Sequence, residues 1–140
     1  MPELPELQAL AEGLARATRG RPITRAIAWQ PATLKSAEPP LEALVGADID
    51  GVWRRGKLIG VDAGEVSLVV HLMQAGRLGL VTAPTARPGR QTCLDVHLDG
   101  KTVLRLRELS TERRASAHVV ARGDLARHPA LATLGPEPIG

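Results

Sequence analysis

The chain has 140 residues, a net charge of +3, a single cysteine, and two tryptophans as its only aromatic residues. This length fits one domain with a core of its own, and one cysteine excludes an internal disulfide or a cysteine-based zinc cage. No apolar run could span a bilayer, and the N-terminus lacks a secretory-signal pattern, so we expect a cytoplasmic protein without membrane contacts. The shortage of aromatic side chains argues against a protein that binds single-stranded nucleic acid by stacking.

The first predicted element is a helix over residues 4–19. Leu7, Leu10 and Leu14 fall on one face at helical spacing. A proline in the first turn loses no hydrogen bond there, and Gly20, with a proline soon after it, ends the helix. We therefore expect one amphipathic helix that packs its leucine face against the rest of the chain.

The rest of the chain alternates in the manner of short strands. The predicted strands cover residues 23–29, 47–55, 57–62, 65–72, 77–82, 92–98, 102–107 and 117–121. Loops are predicted at 30–40 and 83–90, and Leu41–Val45 is predicted to form a helical turn. The dipeptide Asp99-Gly100 is typical of a tight hairpin turn between two strands.

Near the C-terminus, Asp124 is expected to cap a short helix over residues 125–128. Many short strands joined by tight turns indicate a β-rich α+β fold. We therefore predict an antiparallel β-sandwich or flattened barrel with an N-terminal helix and a short C-terminal helix.

Pro2 is the first residue with distinctive chemistry. Removal of Met1 would leave a secondary amine at the N-terminus, with a pKa far below that of lysine. Such an amine attacks carbonyl carbons to give iminium adducts, and Glu3 beside it could move protons as general acid and base. The alternative is that the proline is incidental and that Glu3 only stabilises the positive end of the helix. Taken singly, each residue favours that alternative.

Lys57 follows two arginines and a glycine at a predicted hairpin tip, where a cation could reach a phosphate or a reacting sugar oxygen. An isolated lysine is more often a solvated surface residue. We interpret His71 as a hydrogen-bonded structural histidine and Cys93 as a small buried apolar residue. The histidines are not spaced as zinc ligands, so no metal site is predicted.

Four segments occur in one order along the chain: MPELPE at the N-terminus, RRGK ending at Lys57, HLMQAGRL at 71–78 and LATLGPEP at 131–138. Together they resemble the formamidopyrimidine-DNA glycosylase and endonuclease VIII family over the whole chain. LKS at 34–36 and ELSTERRA at 108–115 are most similar to the actinobacterial endonuclease-VIII-like branch of that family.

The resemblance implies a base-excision-repair DNA glycosylase with AP lyase activity on oxidised bases or abasic sites. The amine of Pro2 is then expected to attack C1′ of the damaged nucleotide and displace its base, with Glu3 as the proton shuttle. Lys57 is expected to contact phosphate and sugar, and the resulting Schiff base permits elimination of the strand phosphates. The target base must first leave the duplex stack, and no cofactor is implied in this chain.

The partner implied by the resemblance is double-stranded DNA that contains damaged bases or abasic sites, and we expect a monomer. The DNA-binding residues expected on this basis are Arg54, Arg55, Gln74, Arg77, Arg113 and Arg114. The family fills the gap left by the flipped nucleotide with side chains whose positions correspond here to Gln74, Arg113 or Arg114, and Ala115. An alanine lacks the bulk that a wedge needs.

Residues 1–135 are expected to form the N-terminal catalytic domain of the family. Residues 136–140 are expected to begin the linker to a helix-two-turns-helix domain that this chain lacks, and a structural zinc is expected only in that missing half. Such a half should bind DNA weakly, because phosphate contacts supply much of the affinity. Two alternatives stay open: a non-catalytic module that binds damaged DNA, and a small β-rich domain without a nucleic-acid role.

Overall fold

The computed structural model of the chain describes residues 4–82, 87–100, 102–112 and 114–127. The first element is α1, an α-helix over Leu4–Thr18. The strands, in chain order, are β1 (Ile23–Ala28), β2 (Ile49–Arg55), β3 (Leu58–Ala63), β4 (Val66–His71), β5 (Gly76–Thr82), β6 (Thr92–Leu98), β7 (Thr102–Glu108) and β8 (Ser116–Ala121). Short 3-10 helices cover Pro31–Thr33, Leu41–Leu44 and Arg122–Arg127.

The eight strands form two antiparallel sheets. The first sheet has the order β2-β3-β4-β8 and the second has the order β1-β6-β7-β5. Their inner faces share one apolar core, which includes Cys93 as the sequence predicted. The largest fully buried side chains are Leu7, Ile23, Leu44, Ile49, Ile59, Leu68, Leu72, Leu94, Leu98, Leu104 and Leu106. The predicted β-rich α+β class with a sandwich architecture and an N-terminal helix is thereby confirmed.

The helix α1 lies where the sequence predicted it and ends one residue earlier. Leu7, Ala11 and Leu14 are buried, and the helix packs against β2. Gly20 adopts φ 80° after the last turn, and its N–H donates to the carbonyl of Ile49 at 2.7 Å. The helix therefore runs antiparallel to β2, with its C-terminal end at the start of that strand. None of the described helices is long and apolar enough to cross a membrane.

All eight predicted strands form, with ends that move by at most two residues. The largest shift concerns the strand predicted over 47–55, which begins at Ile49. The carbonyl of Ala47 instead accepts a hydrogen bond from the N–H of Ile23 at 2.8 Å. The preceding segment is thus held by β1 of the other sheet, which the alternation of residues along a single strand could not indicate.

The expected role of Asp124 as a helix cap is wrong. Asp124 lies inside the first turn of the 3-10 helix Arg122–Arg127 and does not precede it. The helix begins earlier because β8 passes directly into it and the N–H of Arg122 donates to the carbonyl of Glu65 at 2.9 Å. The short C-terminal helix is therefore a 3-10 helix that starts directly after Ala121, the last paired residue of β8.

Trp53 lies on the outer face of the first sheet, directly opposite Gly60 on β3. The indole covers this glycine so closely that a Cβ built there would overlap the ring. Its Nε1 donates to Oδ1 of Asp62 at 2.8 Å. The other apolar neighbours on this face are Leu58, Val69, Val120 and Leu125. The ring position is therefore fixed by packing and by a hydrogen bond together.

We expect Gly60→Ala to lower the free energy of unfolding by about 1–3 kcal/mol, because the new methyl group must displace the Trp53 indole. Urea denaturation followed by tryptophan fluorescence measures this loss. The matched control is Gly51→Ala on β2, where a Cβ meets no atom within 4 Å. The control should be neutral or slightly stabilising, and equal losses in the two variants would contradict the packing of Trp53 on Gly60.

Candidate functional site

Several segments with reactive or charged side chains meet at one end of the sandwich. Across the first sheet, the register places four residues in one row: Arg55, Leu58, His71 and Ser116. Immediately after this row the chain crosses to the second sheet through residues 72–75. The N–H of Leu109 donates to the carbonyl of Ala75 at 2.9 Å, so this turn is joined to the segment that follows β7.

Lys57 is exposed in the two-residue turn between β2 and β3. Gly56 begins the turn with φ 58°, a conformation that glycine adopts without strain. Arg54 connects the turn to α1, because its Nε donates to Oε1 of Gln8 and its Nη1 to the carbonyl of Gly56, both at 2.8 Å. The first turns of α1 therefore lie at the same end of the molecule as Lys57, and Arg54 makes contacts within the chain.

His71 is half-buried at the end of β4, in the same row as Arg55. Its Nε2 is buried and has no hydrogen-bond partner among the described residues, whereas the sequence predicts a hydrogen-bonded structural histidine. Its cross-strand neighbours are Leu58 on β3 and Ser116 on β8. Burial, and after it the charge of Lys57, lowers the pKa of His71 below its usual value. The imidazole is therefore neutral at pH 7.

Gln74 is exposed in the turn between β4 and β5. Met73 before it adopts φ 57°, which is uncommon for a residue with a side chain. The N–H of Gly76 closes the turn on the carbonyl of Leu72 at 2.8 Å. Nη1 of Arg77 donates to the carbonyls of Gln74 and Gly76, at 3.1 and 2.8 Å. These bonds fix the backbone that presents Gln74 to solvent.

Glu108 ends β7 and is only 1% exposed. Its carboxylate accepts hydrogen bonds from the N–H of Ala115 at 2.8 Å, the hydroxyl of Ser110 at 2.9 Å, the N–H of Ser110 at 3.3 Å and the N–H of Arg114. Burial alone would raise the pKa of Glu108, but these hydrogen bonds outweigh it and hold the pKa below its usual range. One buried carboxylate therefore organises the connection between β7 and β8.

The residues of this connection differ in their exposure to solvent. Nε of Arg114 pairs with Oε2 of Glu112 at 2.8 Å, and both side chains are largely exposed. Ala115 is 1% exposed, and its N–H is held by Glu108. Ala115, at a position where the family has a void-filling residue, therefore belongs to the core and cannot project into a DNA duplex, in agreement with its lack of bulk.

Some of the predicted site residues lie within the described part of the chain and others do not. Pro2, Glu3 and Arg113 lie outside the described residues, so their roles stay predictions. The structure places Arg54, Arg55 and Lys57 at the hairpin of the first sheet, and Gln74, Arg77 and Arg114 on the adjoining turn and connection. Within the described ranges, no group of three or more His, Cys, Asp or Glu side chains is placed to hold a metal ion.

Two buried carboxylates, Asp95 and Glu108, are not among the residues predicted from the sequence. Asp95 is 1% exposed, and its two oxygens accept from Nε and Nη2 of Arg105, at 2.8 and 2.9 Å. A signal for it existed, since a single acidic residue inside an otherwise apolar strand requires a partner. The sequence does not indicate that Glu108 is buried, because the polar residues that follow it are typical of a solvent-exposed segment.

We expect Glu108→Gln to lower the free energy of unfolding at pH 7 by about 1–3 kcal/mol. The amide removes the charge and points an NH₂ donor at backbone N–H groups that need an acceptor. The contribution of the wild-type carboxylate is complete above about pH 4.3, the usual pKa of glutamate, and is lost as pH falls through the lower pKa of the folded state. Urea denaturation at several pH values should therefore show that the free energies of unfolding of the wild type and of Glu108→Gln become more similar as the pH falls.

The control for this measurement is Glu112→Gln, in the same connection. Its carboxylate makes an ion pair on the surface, and such pairs contribute little to stability. A loss for Glu112→Gln as large as that for Glu108→Gln would contradict the organising role of the buried carboxylate.

A second prediction concerns the coupling between Lys57 and His71. Proton NMR titration should give His71 a pKa below about 6.5, and Lys57→Gln should raise it because one repulsive charge is removed. The pKa should stay below the usual value, since burial remains. Lys35→Gln is the control, because the charge of Lys35 is not among the causes of the shift. An unchanged pKa in Lys57→Gln would contradict the proximity of the two groups.

The family model of the formamidopyrimidine-DNA glycosylase N-terminal domain matches residues 1–116. A formamidopyrimidine-DNA glycosylase from Thiobacillus denitrificans is 39% identical over 140 residues, and one from Geotalea uraniireducens is 37% identical over 140 residues. Each match covers 99% of this chain and 50% of the relative. The chain therefore spans about half the length of the curated relatives it matches, and its assignment to one branch of the family stays a prediction.

Two solved structures have the same fold. The formamidopyrimidine-DNA glycosylase of Lactococcus lactis, bound non-covalently to DNA with an AP site, gives a TM-score of 0.85 at 22% identity, over 99% of this chain and 52% of that one. MutM in complex with DNA that contains carbocyclic 8-oxo-G gives 0.84 at 23% identity, over 99% and 52%. At such identity the likeness concerns the fold alone, whereas the family model covers most of the sequence. The chain belongs to the formamidopyrimidine-DNA glycosylase family.

Proposed function

We propose that this chain is the catalytic half of a base-excision-repair DNA glycosylase with AP lyase activity. Its substrate is double-stranded DNA that contains oxidised bases or abasic sites. The observation that carries the proposal is the meeting, at one end of the sandwich, of the start of α1, the Lys57 turn and the Gln74 turn. The names of the relatives support the same activity, and the related solved structures contain DNA with 8-oxo-G or an AP site.

The nucleophile in this proposal is the α-amine of Pro2. Covalent geometry keeps a residue two positions ahead of Leu4 within about 8 Å of it, and α1 begins at the end where Lys57 lies. The amine attacks C1′ of the damaged nucleotide, the bond from C1′ to the base breaks, and Glu3 shuttles the proton that the departing base needs. The nitrogen lone pair then expels O4′, which takes up a proton as the sugar ring opens and the C1′–O4′ bond breaks. The Schiff base that results withdraws electrons, so that a proton can leave C2′ and the strand phosphates can be eliminated.

Two described groups support binding of a nucleotide beside that amine. Lys57 is an exposed cation on a turn with a fixed backbone, which suits contact with a phosphate next to the reacting sugar. The Nε2 of His71 is buried without a partner among the described residues and lies in the adjoining row. A neutral imidazole there is available for a hydrogen bond to the bound strand, which would satisfy a buried polar atom.

We also propose a domain organisation and a cellular location for the protein. Residues 1–135 form the catalytic domain, and residues 136–140 begin the linker to a helix-two-turns-helix domain. The chemistry of this half uses no cofactor, and any structural zinc belongs to the other half. The protein is a cytoplasmic monomer that meets its substrate on the chromosome.

One observation favours a second candidate, a non-catalytic module that binds damaged DNA. Ala115 is part of the core and Arg114 is paired with Glu112, so that among the described residues Gln74 is left as the candidate for filling the gap of a flipped base. A module of this kind would bind an abasic duplex without reacting with it.

Borohydride trapping separates the two candidates. The 140-residue chain should form a covalent adduct with an abasic-site duplex, visible in the intact mass after reduction. Pro2→Gly should weaken or abolish the adduct because the secondary amine is lost. Pro5→Ala is the matched control, since it removes a nearby proline that has no α-amine. The unreacted chain should also lack the mass of Met1, because a retained methionine would turn the nitrogen of Pro2 into an amide.

Binding to the abasic duplex that weakens with salt, without any adduct, would contradict the enzymatic proposal and support the binding module. An adduct of equal yield in Pro2→Gly, with the mass located on another residue, would retain lyase chemistry and overturn the assignment of the nucleophile.

A further inference from the structure

The outer face of the second sheet carries a like-charge pair that the fold itself does not require. Arg77 on β5 and Arg107 on β7 are direct cross-strand partners, and both are exposed. Like charges directly opposite each other destabilise a sheet. The guanidinium of Arg77 donates to backbone carbonyls of its own turn, and bonds to neutral carbonyls leave its positive charge in place on the same row of the sheet as Arg107. A bound anion would relieve this repulsion.

Next to this pair is an open cleft of about 430 Å³. Its lining is rich in cations and includes Arg87, Arg90, Gln91, Thr92, Arg105 and Arg107. No carboxylate is among the described residues that line it. Arg105 is paired with the buried carboxylate of Asp95, so the exposed cations of the lining are Arg87, Arg90 and Arg107. A small open space lined by exposed arginines is suited to oxyanions, because a guanidinium presents a planar fork of donors that matches phosphate oxygens.

The walls of this cleft are held in place by hydrogen bonds. Arg105 is 7% exposed and is oriented by the buried carboxylate of Asp95, which also accepts from Nε1 of Trp29 at 2.9 Å. Nη1 of Arg105 donates to the carbonyl of Arg87 at 3.2 Å. The amide of Gln30 donates to the carbonyl of Arg90 at 3.0 Å. The segment after residue 86 is thereby fastened to the sheet, so its arginines stand beside those of β7.

The cleft adjoins the candidate active end. The N–H of Glu108 donates to the carbonyl of Gln91 at 2.9 Å, and Glu108 also organises the connection that follows β7. Arg77 directly follows the turn that presents Gln74. The arginines therefore continue the surface of the Gln74 turn onto the second sheet, whereas Lys57 lies on the first sheet.

We propose that this arginine cleft binds backbone phosphates of the DNA duplex that carries the damaged nucleotide. The Gln74 turn lies between this cleft and Lys57. The inference rests on the proposed function in one respect, which is that the ligand is duplex DNA. It adds Arg87, Arg90 and Arg107 to the DNA contacts. These contacts are independent of base identity, and they anchor the duplex on the second sheet while the damaged nucleotide reacts beside the first.

The test measures binding of the 140-residue chain to an abasic-site duplex by fluorescence anisotropy over a range of salt concentrations. The variant Arg87→Gln/Arg107→Gln should reduce the slope of log affinity against log salt by about 2, since each lost phosphate contact removes about one unit. The yield of the borohydride adduct at saturating DNA should be unchanged. The control is Arg16→Gln/Arg19→Gln, which removes equal charge from the exposed far end of α1 and should leave the slope near that of the wild type.

A slope in the cleft variant equal to that of the control would overturn the inference, even if the wild type forms the adduct. If the wild type forms no adduct while the cleft variant shows the expected smaller slope, the proposed function is overturned and the cleft is retained. Inorganic phosphate at matched ionic strength should leave the affinity unchanged. If it displaces DNA from the wild type but not from the cleft variant, the cleft is a site for the free ion and the assignment to the DNA backbone fails.

Discussion

The packing of two sheets through aliphatic side chains is the constraint on which the other features depend. The shared core of the described residues consists of Leu, Ile, Val, Ala and Cys side chains, while Trp29 is 42% exposed and Trp53 lies on an outer face. Small branched side chains fill an interior only when they interdigitate closely. The inward alternation must therefore hold along every strand, and it fixes the register of all eight. The same register determines which turns meet at each end of the sandwich.

The two sheets differ in how their buried polar groups are satisfied. In the second sheet, the buried carboxylates of Asp95 and Glu108 receive donors from the chain itself, as buried charges require. In the first sheet, the Nε2 of His71 has no partner among the described residues, and Lys57 extends into solvent beside it. The buried carboxylates of the second sheet are thus satisfied within the chain, whereas the Nε2 of His71 in the first sheet is buried without such a partner among the described residues.

The sequence predicted the helix and all eight strands because each follows from a local pattern of apolar residues. It could not predict that Ala47 bonds to β1 or that Asp124 lies inside its helix, because both depend on which strands become neighbours. The burial of Ala115 under Glu108 was missed for the same reason, since the acceptor lies seven residues away across a bend. The candidate nucleophile, Pro2, was reached through motif order and chemistry, and it lies outside the described residues.

The two-residue turn that carries Lys57 limits how members of this lineage can diverge. Arg55 and Leu58 are paired in the ladder on either side of it, so an inserted residue would force a bulge or a slip, and a one-residue slip moves every side chain of a strand to the opposite face. Residues 87–90 lie outside any strand and can change in length or charge without that effect. The length and charge of this segment can therefore change while the position of the Lys57 turn stays constant.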